Sequence, residues 1–199
     1  MENSFWNERY NQYDFVYGES PNIFFADTIE KLNPGTIVLP CEGEGRNAVY
    51  AARKGWDVKA FDLSNVGKQK ADLLALKYGA IIDFQIMDAS LAHYPEKSVD
   101  VVALIYTHLP LGIRKTMHEN LVKWLKPGGK VILEAFCPDQ LNNSSGGPKD
   151  VSMLYTKEML SDDFKDLQIE LLEYKHIDLN EGEFHKGPAD VIRMITEKK

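Results

Sequence analysis

A glycine-rich turn near residue 43 is the part of the chain best suited to hold a small ligand. Residues 37–48 read Ile-Val-Leu-Pro-Cys-Glu-Gly-Glu-Gly-Arg-Asn-Ala, and Gly43 and Gly45 fall where a β-type pattern changes to a helical one. Glycine lets the backbone approach a ligand closely. The spacing Gly43-x-Gly45-x-x-Ala48 also fits the dinucleotide-binding fingerprint, which is weak evidence on its own.

Charge favours one of two nucleotide ligands at this turn. Asp62 ends the next predicted strand, 19 residues after Gly43, where a carboxylate can accept hydrogen bonds from a ribose diol. A pyrophosphate at the turn would meet Glu42 and Glu44, and like charges about 4 Å apart repel by about 4 kcal/mol at an effective dielectric of 20. S-adenosyl-L-methionine carries a sulfonium and an ammonium group and no phosphate. The turn therefore predicts S-adenosyl-L-methionine as cofactor, with a nicotinamide dinucleotide as the alternative.

Histidines and a tyrosine near the predicted mouth of this site are candidates for chemistry on a second substrate. His108 follows the fourth predicted strand, which ends at Tyr106, and His185 lies late in the chain. Histidine titrates near neutral pH and can act as a general base. A lone loop histidine is more often structural, so both interpretations stay open. The sequence has no Cys-x-x-Cys motif, and we expect no metal.

Composition limits the class of protein and its partners. The chain has 199 residues, of which 44 % are hydrophobic and 27 % charged, values typical of one globular domain. The net charge of −7 argues against nucleic acid or an anionic membrane as partner. The longest apolar run, Val101–Tyr106, is far below the ~20 residues of a membrane helix. We expect a single cytoplasmic domain over residues 1–199, as a monomer or homodimer.

Short β-rich runs alternate with helical stretches and must position these residues. The predicted strands are Thr36–Leu39, Asp57–Asp62, Ile81–Ile86, Val99–Tyr106 and Val131–Phe136. The predicted helices are Arg46–Lys54, Asn65–Tyr78 after the N-cap Ser64, and a stripe of Ile113, Met117, Leu121 and Leu125. Such alternation implies right-handed crossovers and a parallel sheet covered on both faces.

The C-terminal part has a different pattern. The β-like runs Leu167–Asp178 and Ala189–Thr196 are separated by ten residues, too few for a crossover helix, so they should pair antiparallel. The expected fold class is α/β, with a seven-stranded, mostly parallel sheet, helices on both faces and a C-terminal antiparallel hairpin. Pro138–Asp150 is expected to be a mobile lid, because Asn142–Gly147 within it has almost no apolar side chain to bury; the alternative is a polar surface connector.

An ordered set of motifs runs through the chain. They are Trp6-Asn7-Glu8-Arg9-Tyr10, Tyr17-Gly18-Glu19-Ser20-Pro21-Asn22, Glu42-Gly43-Glu44-Gly45-Arg46-Asn47-Ala48, Phe61-Asp62-Leu63-Ser64, Met87-Asp88-Ala89, His108-Leu109-Pro110, Leu125-Lys126-Pro127-Gly128-Gly129, Gly146-Gly147-Pro148-Lys149-Asp150 and His185-x-Gly187-Pro188-Ala189. In this set the chain resembles class I S-adenosylmethionine-dependent methyltransferases, most closely their small tellurite-resistance-like branch. The resemblance implies a Rossmann-like fold in which residues 1–30 form a helical cap over the cofactor site.

The resemblance also implies roles for individual residues. Gly43 and Gly45 would make room for the methionyl and ribose parts of the cofactor, Asp62 would hold the ribose and Leu63 would cover an adenine face. The other implied cofactor contacts are Tyr10, Tyr17, Gly18, Arg46, Asp88, Ala89 and Ile105. The catalytic candidates are Tyr106, His108 and His185.

Two positions depart from the family pattern, and both bear on function. The usual acidic residue of the first motif falls at Leu39 and the first glycine at Cys41, so we infer that Glu42 contacts the methionine ammonium instead. The fourth strand ends without the Asp/Asn-Pro-Pro-aromatic motif of methyltransferases acting on nucleic-acid bases or protein amides. We expect methyl transfer to a small molecule, such as a thiol or a selenium or tellurium oxyanion. The alternatives are a nicotinamide-dependent oxidoreductase and a cofactor-binding protein without turnover.

Overall fold

The computed structural model describes residues 3–12 and 14–199. Its strands are β1 Thr36–Pro40, β2 Asp57–Asp62, β3 Asp83–Ile86, β4 Val99–Ile105, β5 Leu125–Phe136, β6 Gln168–Asn180 and β7 Lys186–Glu197. Its α-helices are α1 Asn3–Tyr10, α2 Ile23–Ile29, α3 Arg46–Arg53, α4 Asn65–Tyr78, α5 Leu111–Trp124 and α6 Lys157–Asp163. Short 3₁₀ turns cover Ala89–Leu91, Pro138–Asn142 and Val151–Met153.

The strands form one sheet in the order β3-β2-β1-β4-β5-β7-β6. The first five strands pair in parallel, and β7 runs antiparallel to both β5 and β6. This confirms the predicted seven-stranded, mostly parallel sheet with a C-terminal antiparallel pair. Because β1 lies between β2 and β4, the strand order reverses there, and ligands bind at the carboxyl ends of strands at such a point.

Alternate strand residues face two separate hydrophobic clusters. Ile37 and Leu39 of β1 pack with Ala48 of α3 and with side chains of α2 and α4. Val38 packs on the other face with Met117 of α5 and with α6. The alternation follows from the two-residue period of a strand, and it places helices on both faces as predicted.

Local signals explain where the helices around the turn begin and end. The Ser64 hydroxyl accepts a hydrogen bond from Gly67 N at 3.0 Å, and Gly79 closes α4 in the left-handed conformation, so both ends of α4 fall as predicted. Helix α3 starts after Gly45, whose φ is 84°. A Cβ atom at Gly45 would lie 2.6 Å from the Ala71 side chain, so this glycine allows α3 to pack closely on α4.

Several predicted strand boundaries were wrong: β6 extends to Asn180 and β7 begins at Lys186, and the starts of β5 and β3 also differ. Strand β5 begins at Leu125, which pairs with Val99, and not at Val131. Leu125 is therefore not on the helical stripe; its extended conformation ends α5 just before Lys126-Pro127, where a proline disfavours helix. Strand β3 begins at Asp83 and not at Ile81, because Ile81 is 91 % exposed and has no place in the sheet.

The predicted N-terminal cap is only partly described. Residues 1, 2 and 13 of the 1–30 segment lie outside the described residues, and the remainder contains α1 and α2. Within the described ranges, no helix is long and apolar enough to cross a membrane. A single domain over the whole chain and a cap over the site stay predictions.

The packing at Gly45 predicts an unequal response to alanine at two left-handed glycines. Gly45→Ala adds backbone strain of about 1–2 kcal/mol and a clash with Ala71 worth about 1–3 kcal/mol. Gly79→Ala adds the strain alone, because nothing lies within 4 Å of its Cβ position. Urea unfolding should therefore show the larger stability loss for Gly45→Ala. Equal losses would mean that α4 moves aside at no cost.

Candidate active site

A cavity of about 290 Å³ opens at the carboxyl ends of β1 to β4. Every predicted site residue except Gly45 lines it: Tyr10, Tyr17, Gly18, Glu42, Gly43, Arg46, Asp62, Leu63, Asp88, Ala89, Ile105, Tyr106, His108 and His185. Gly45 instead packs on α4, so room for a ligand is not what this glycine provides. The fold thus brings together side chains that are up to 175 positions apart in the sequence, from Tyr10 to His185.

Backbone strain marks the two strand ends that border the cavity. Cys41 follows β1 with φ of 54°, and Tyr106 follows β4 with φ of 52°. A non-glycine residue in this region costs of the order of 1–3 kcal/mol, and such residues concentrate at functional sites. The backbone N–H of Tyr106 donates to the carbonyl oxygen of Glu134 at 2.7 Å, which helps to hold this conformation.

Asp62 ties the glycine turn to the start of α4. Its Oδ2 accepts a hydrogen bond from Gly43 N at 2.9 Å, and its Oδ1 accepts one from Ser64 N at 2.8 Å. Burial raises the pKa of this carboxyl to about 6. A carboxylate has about four acceptor positions, so Asp62 keeps capacity for hydroxyl donors in the cavity.

Glu42 caps α3 from inside the turn. Its Oε1 accepts from Ala48 N at 2.7 Å and its Oε2 from Asn47 Nδ2 at 3.3 Å. Gly45, at the N-cap position, has no side chain to do this, and a free helix start needs acceptors for its N–H groups. Burial raises the pKa of Glu42 to about 7. The predicted ammonium contact of Glu42 stays a prediction.

Glu44 and Arg46 hold the segment before α2 by its backbone. Glu44 Oε2 accepts from Tyr17 N at 3.3 Å, and Arg46 Nη1 donates to Tyr17 O at 3.1 Å. Lys70 Nζ of α4 lies 2.8 Å from Glu44 Oε1. Glu44 is therefore a paired charge, which corrects its treatment as a free acidic neighbour of the ligand.

The hydroxyl of Tyr10 lies directly over the glycine turn. A Cβ atom at Gly43 would lie 2.6 Å from it, so the absence of a side chain at Gly43 makes room for this hydroxyl. Tyr10 is 4 % exposed, and among the described residues its hydroxyl has no hydrogen-bond partner. It is therefore available to a ligand in the cavity.

Two of the three catalytic candidates have their polar atoms occupied. The Tyr106 hydroxyl donates to Glu134 Oε1 at 2.9 Å, and burial raises its pKa well above the usual value. His108 Nδ1 donates to Met153 O at 2.7 Å, and His108 Nε2 accepts from Phe136 N at 3.2 Å. Burial lowers the pKa of His108 to about 4. These bonds favour the structural interpretation of His108.

His185 is the candidate with a free lone pair. Its Nδ1 lies 3.3 Å from Glu181 Oε2, and the same oxygen lies 2.9 Å from Arg46 Nη2. Burial lowers the pKa of the His185 imidazole. Burial acts to raise the pKa of Glu181, but the hydrogen bond from His185 and the charge of Arg46 outweigh it and keep that pKa low. Burial therefore disfavours the charged imidazole, and because a carboxylate oxygen accepts, Nδ1 is the nitrogen that donates to Glu181. Its Nε2 has no partner within the described part of the chain.

A buried polar network behind the cavity was missed by the sequence analysis. Asn22 Nδ2 donates to Glu134 Oε1 at 2.6 Å and lies 3.3 Å from Glu181 Oε1, while Arg193 pairs with Glu134 Oε2 at 2.5 Å. Glu134 is 1 % exposed. A glutamate inside the apolar run of β5 was the available signal, because a buried carboxylate needs partners.

The segment Pro138–Asp150 is held more firmly than its composition suggested. The Gln140 amide donates to Ser145 Oγ and Gly146 O, both at 3.0 Å, and its Oε1 accepts from Asp190 N at 2.8 Å. Gln140 is 1 % exposed. Hydrogen bonds from polar side chains to β7 thus hold the segment in place of apolar burial. The lack of apolar side chains is therefore no reason to expect a mobile lid here.

Part of the chain is similar to known proteins. Residues 39–129 match the model of a methyltransferase domain. The chain is 31 % identical over 134 residues to phosphoethanolamine N-methyltransferase 1 of Zea mays, a match covering 65 % of this chain and 26 % of that protein. The chain thus spans about a quarter of the length of the curated relatives that it matches first.

Solved structures show the same fold. TehB from Haemophilus influenzae superposes with a TM-score of 0.74 at 18 % identity, covering 99 % of this chain and 67 % of that one. Geranyl diphosphate C-methyltransferase from Streptomyces coelicolor, solved with S-adenosyl-L-homocysteine, gives a TM-score of 0.67 at 13 % identity, with 99 % and 97 % covered.

The raised pKa of Glu42 predicts a pH-dependent stability. The folded protein binds the Glu42 proton more tightly than the unfolded chain does, so this group's contribution to stability is lost as the pH rises from 4.5 to about 7. Glu42→Gln has no such loss. As the pH rises from acid to mildly alkaline, the free energy of unfolding of Glu42→Gln should increase by roughly 1–3 kcal/mol relative to that of the parent. Urea titration at each pH measures this difference.

Asp88→Asn provides a control of opposite sign. Hydrogen bonds from Ser90 lower the pKa of Asp88, so the Asp88 contribution is present at neutral pH and is lost as the pH falls. The free energy of unfolding of Asp88→Asn should therefore decrease relative to that of the parent as the pH rises. A pH-independent difference between Glu42→Gln and the parent would show that Glu42 does not titrate abnormally.

Proposed function

We propose that the protein is a class I S-adenosylmethionine-dependent methyltransferase, which transfers the methyl group of S-adenosyl-L-methionine to a small-molecule acceptor in this cavity. The methyltransferase-domain match over residues 39–129 and the shared fold support this. The neighbouring structures confirm the predicted fold, and the domain match agrees with the predicted family resemblance and supports the predicted cofactor. No observation favours the nicotinamide alternative.

The proposal rests on polar side chains that can still form hydrogen bonds. They converge at the point where the strand order reverses. Asp62 keeps acceptor positions for ribose hydroxyls. Asp88 bonds Ser90 through Oδ1 alone, so its second oxygen can accept from an adenine amino group. The Tyr10 hydroxyl can bond the methionyl part beside Gly43. This set of donors and acceptors suits S-adenosyl-L-methionine, because none of it requires a phosphate.

Charge is also consistent with this cofactor. The cavity wall contains four carboxylates and two arginines. Both Arg46 and Glu44 are already paired within the protein, which leaves the carboxyl groups of Glu42, Asp62 and Asp88 against the single cation Arg9 in the cavity wall. Burial raises the pKa of Glu42 to about 7 and that of Asp62 to about 6, which reduces but does not remove this negative charge. A ligand with a net positive charge is favoured there over a phosphate.

The residues of this chain would contribute mainly position and exclusion of water. Bound S-adenosyl-L-methionine supplies an electrophilic methyl carbon on a positively charged sulfur. Aligning an acceptor with such a group can provide ~7–11 kcal/mol of the barrier. The cavity volume of about 290 Å³ is at the low end for ligand pockets, which favours a small acceptor.

Removal of the Asp62 carboxylate tests the cofactor site. Asp62→Ala should bind S-adenosyl-L-methionine at least about tenfold more weakly, because a charge-assisted hydrogen bond contributes ~1.5–3 kcal/mol. Calorimetric titration measures this, with circular dichroism as a check of folding. Asp83→Ala is the matched control, since Asp83 is exposed at the opposite end of the sheet. Unchanged affinity in folded Asp62→Ala would refute the assignment.

A further inference from the structure

One end of the cavity is lined by aromatic and apolar side chains. We define the acceptor pocket as Tyr106, Ile113, Phe136, Pro148, Met153 and His185, which line the cavity beyond the end of β4. The rings of Tyr106 and Phe136 lie 4.7 Å apart, and the rings of Tyr106 and His185 lie 4.5 Å apart. This pocket contains no lysine or arginine.

The cations elsewhere in the cavity wall are engaged. Arg46 is bound to Glu181 and to Tyr17 O. The Arg9 guanidinium lies 4.4 Å from the centre of the Phe184 ring and donates to the Tyr17 hydroxyl at 3.3 Å. Neither guanidinium belongs to the acceptor pocket.

The carboxylates behind the acceptor pocket are already paired with arginines: Glu134 with Arg193, and Glu181 with Arg46. Glu134 accepts the Tyr106 hydroxyl, and Glu181 accepts His185 Nδ1. An anion in a dehydrated site needs cations or several N–H donors, and here the arginines behind the pocket, Arg193 and Arg46, are already neutralised by Glu134 and Glu181. A phosphate ester or an oxyanion therefore fits this pocket poorly, and an uncharged acceptor fits it well.

The free Nε2 lone pair of His185 limits which acceptor groups can react. A neutral imidazole can assist removal of a thiol proton, because a thiol is a far stronger acid than an alcohol; the cysteine thiol, for example, has an ordinary pKa of about 8.5. An alcohol is far too weak an acid, and a protonated amine would place a charge against the apolar wall. A thiol is also an effective nucleophile once deprotonated.

We propose that the methyl acceptor is an uncharged thiol on a small apolar body, that His185 Nε2 takes its proton, and that Glu181 is the positioning residue that keeps Nδ1 protonated. This rests on the proposed methyltransferase function. His185 removes the proton from the acceptor sulfur. The resulting thiolate forms a new sulfur–carbon bond to the methyl group, and the old bond breaks with its electron pair left on the cofactor sulfur. The products are a methyl thioether, S-adenosylhomocysteine and one proton.

An acceptor panel at saturating cofactor tests the substrate class. We expect kcat/KM for 1-butanethiol to exceed those for 3-mercaptopropionate, butylamine and phosphoethanolamine at least tenfold, with S-adenosylhomocysteine measured by mass spectrometry. Equal or faster methylation of any of these charged compounds would overturn the acceptor class. Calorimetry of the cofactor separates the two proposals. Absent cofactor binding refutes the proposed function, whereas binding without thiol turnover refutes the acceptor alone.

A charge placed in the pocket should change the preference. Met153→Lys puts an ammonium group among the pocket side chains, so kcat/KM for 3-mercaptopropionate relative to 1-butanethiol should rise at least tenfold. Val151→Lys is the control, because Val151 is 57 % exposed and outside the cavity wall. The same ratio in Met153→Lys and the parent would show that the acceptor does not bind in this pocket.

The role of Glu181 needs a readout other than turnover. In the cofactor-free protein, nitrogen NMR of His185 should show a neutral ring with the proton on Nδ1, and Glu181→Ala should abolish that tautomer preference. The charged and titratable groups facing His185 are Glu181, Arg46, Arg9, Tyr17, Tyr106 and His108.

Glu181→Gln separates positioning from charge. The glutamine oxygen can still accept Nδ1–H, so the tautomer should persist and thiol turnover should be partly rescued relative to Glu181→Ala. Loss of the carboxylate should lower the pKa of His185, and the acid limb of the kcat profile should move to lower pH. His176→Gln, at an exposed surface histidine, should change neither readout. An unchanged tautomer and pH profile in both Glu181 variants would refute the positioning role.

Discussion

The buried guanidinium of Arg46 is the constraint on which the site depends. It lies in the first turn of α3, is 6 % exposed, and joins Tyr17 O of the N-terminal segment to Glu181 of the β6–β7 loop. A buried ion pair that loses one partner costs about 3–5 kcal/mol, because the other charge is left uncompensated. The glycine turn, the N-terminal segment and the late loop are therefore coupled: each needs the other two in place to satisfy Arg46.

The sequence predicts the fold well where short-range chemistry decides it. Ser64 and Gly79 set both ends of α4, because a hydroxyl N-cap and a left-handed C-cap are local requirements. The start of β5 was not predictable in this way. Leu125 joins the sheet by pairing with Val99, a contact between residues 26 positions apart that no local pattern reports.

The candidate site shows the same division between local and distant information. Residue type and spacing placed Gly43 and Asp62 at one strand edge, and they are hydrogen-bonded there. The pattern did not reveal that Lys70 neutralises Glu44, or that Met153 and Phe136 occupy both nitrogens of His108. Those partners come from other elements, so charge and histidine counts along the sequence overestimated the free groups.

The two ends of the cavity differ in how much of their lining lies within the segment that matches known methyltransferase domains. The match to the methyltransferase domain covers residues 39–129 and includes Gly43, Asp62 and Asp88. Phe136, Met153 and His185 of the proposed acceptor pocket lie after that match. The shared part thus contains most of the proposed cofactor contacts, although Tyr10 lies before it. At the acceptor end, Phe136, Met153 and His185 from outside the match join Tyr106 and Ile113 from within it. An acceptor is selected by the side chains that it touches. Because part of the acceptor pocket lies outside the match, its uncharged lining and the free nitrogen of His185 are better guides to the acceptor than the substrates named for the relatives.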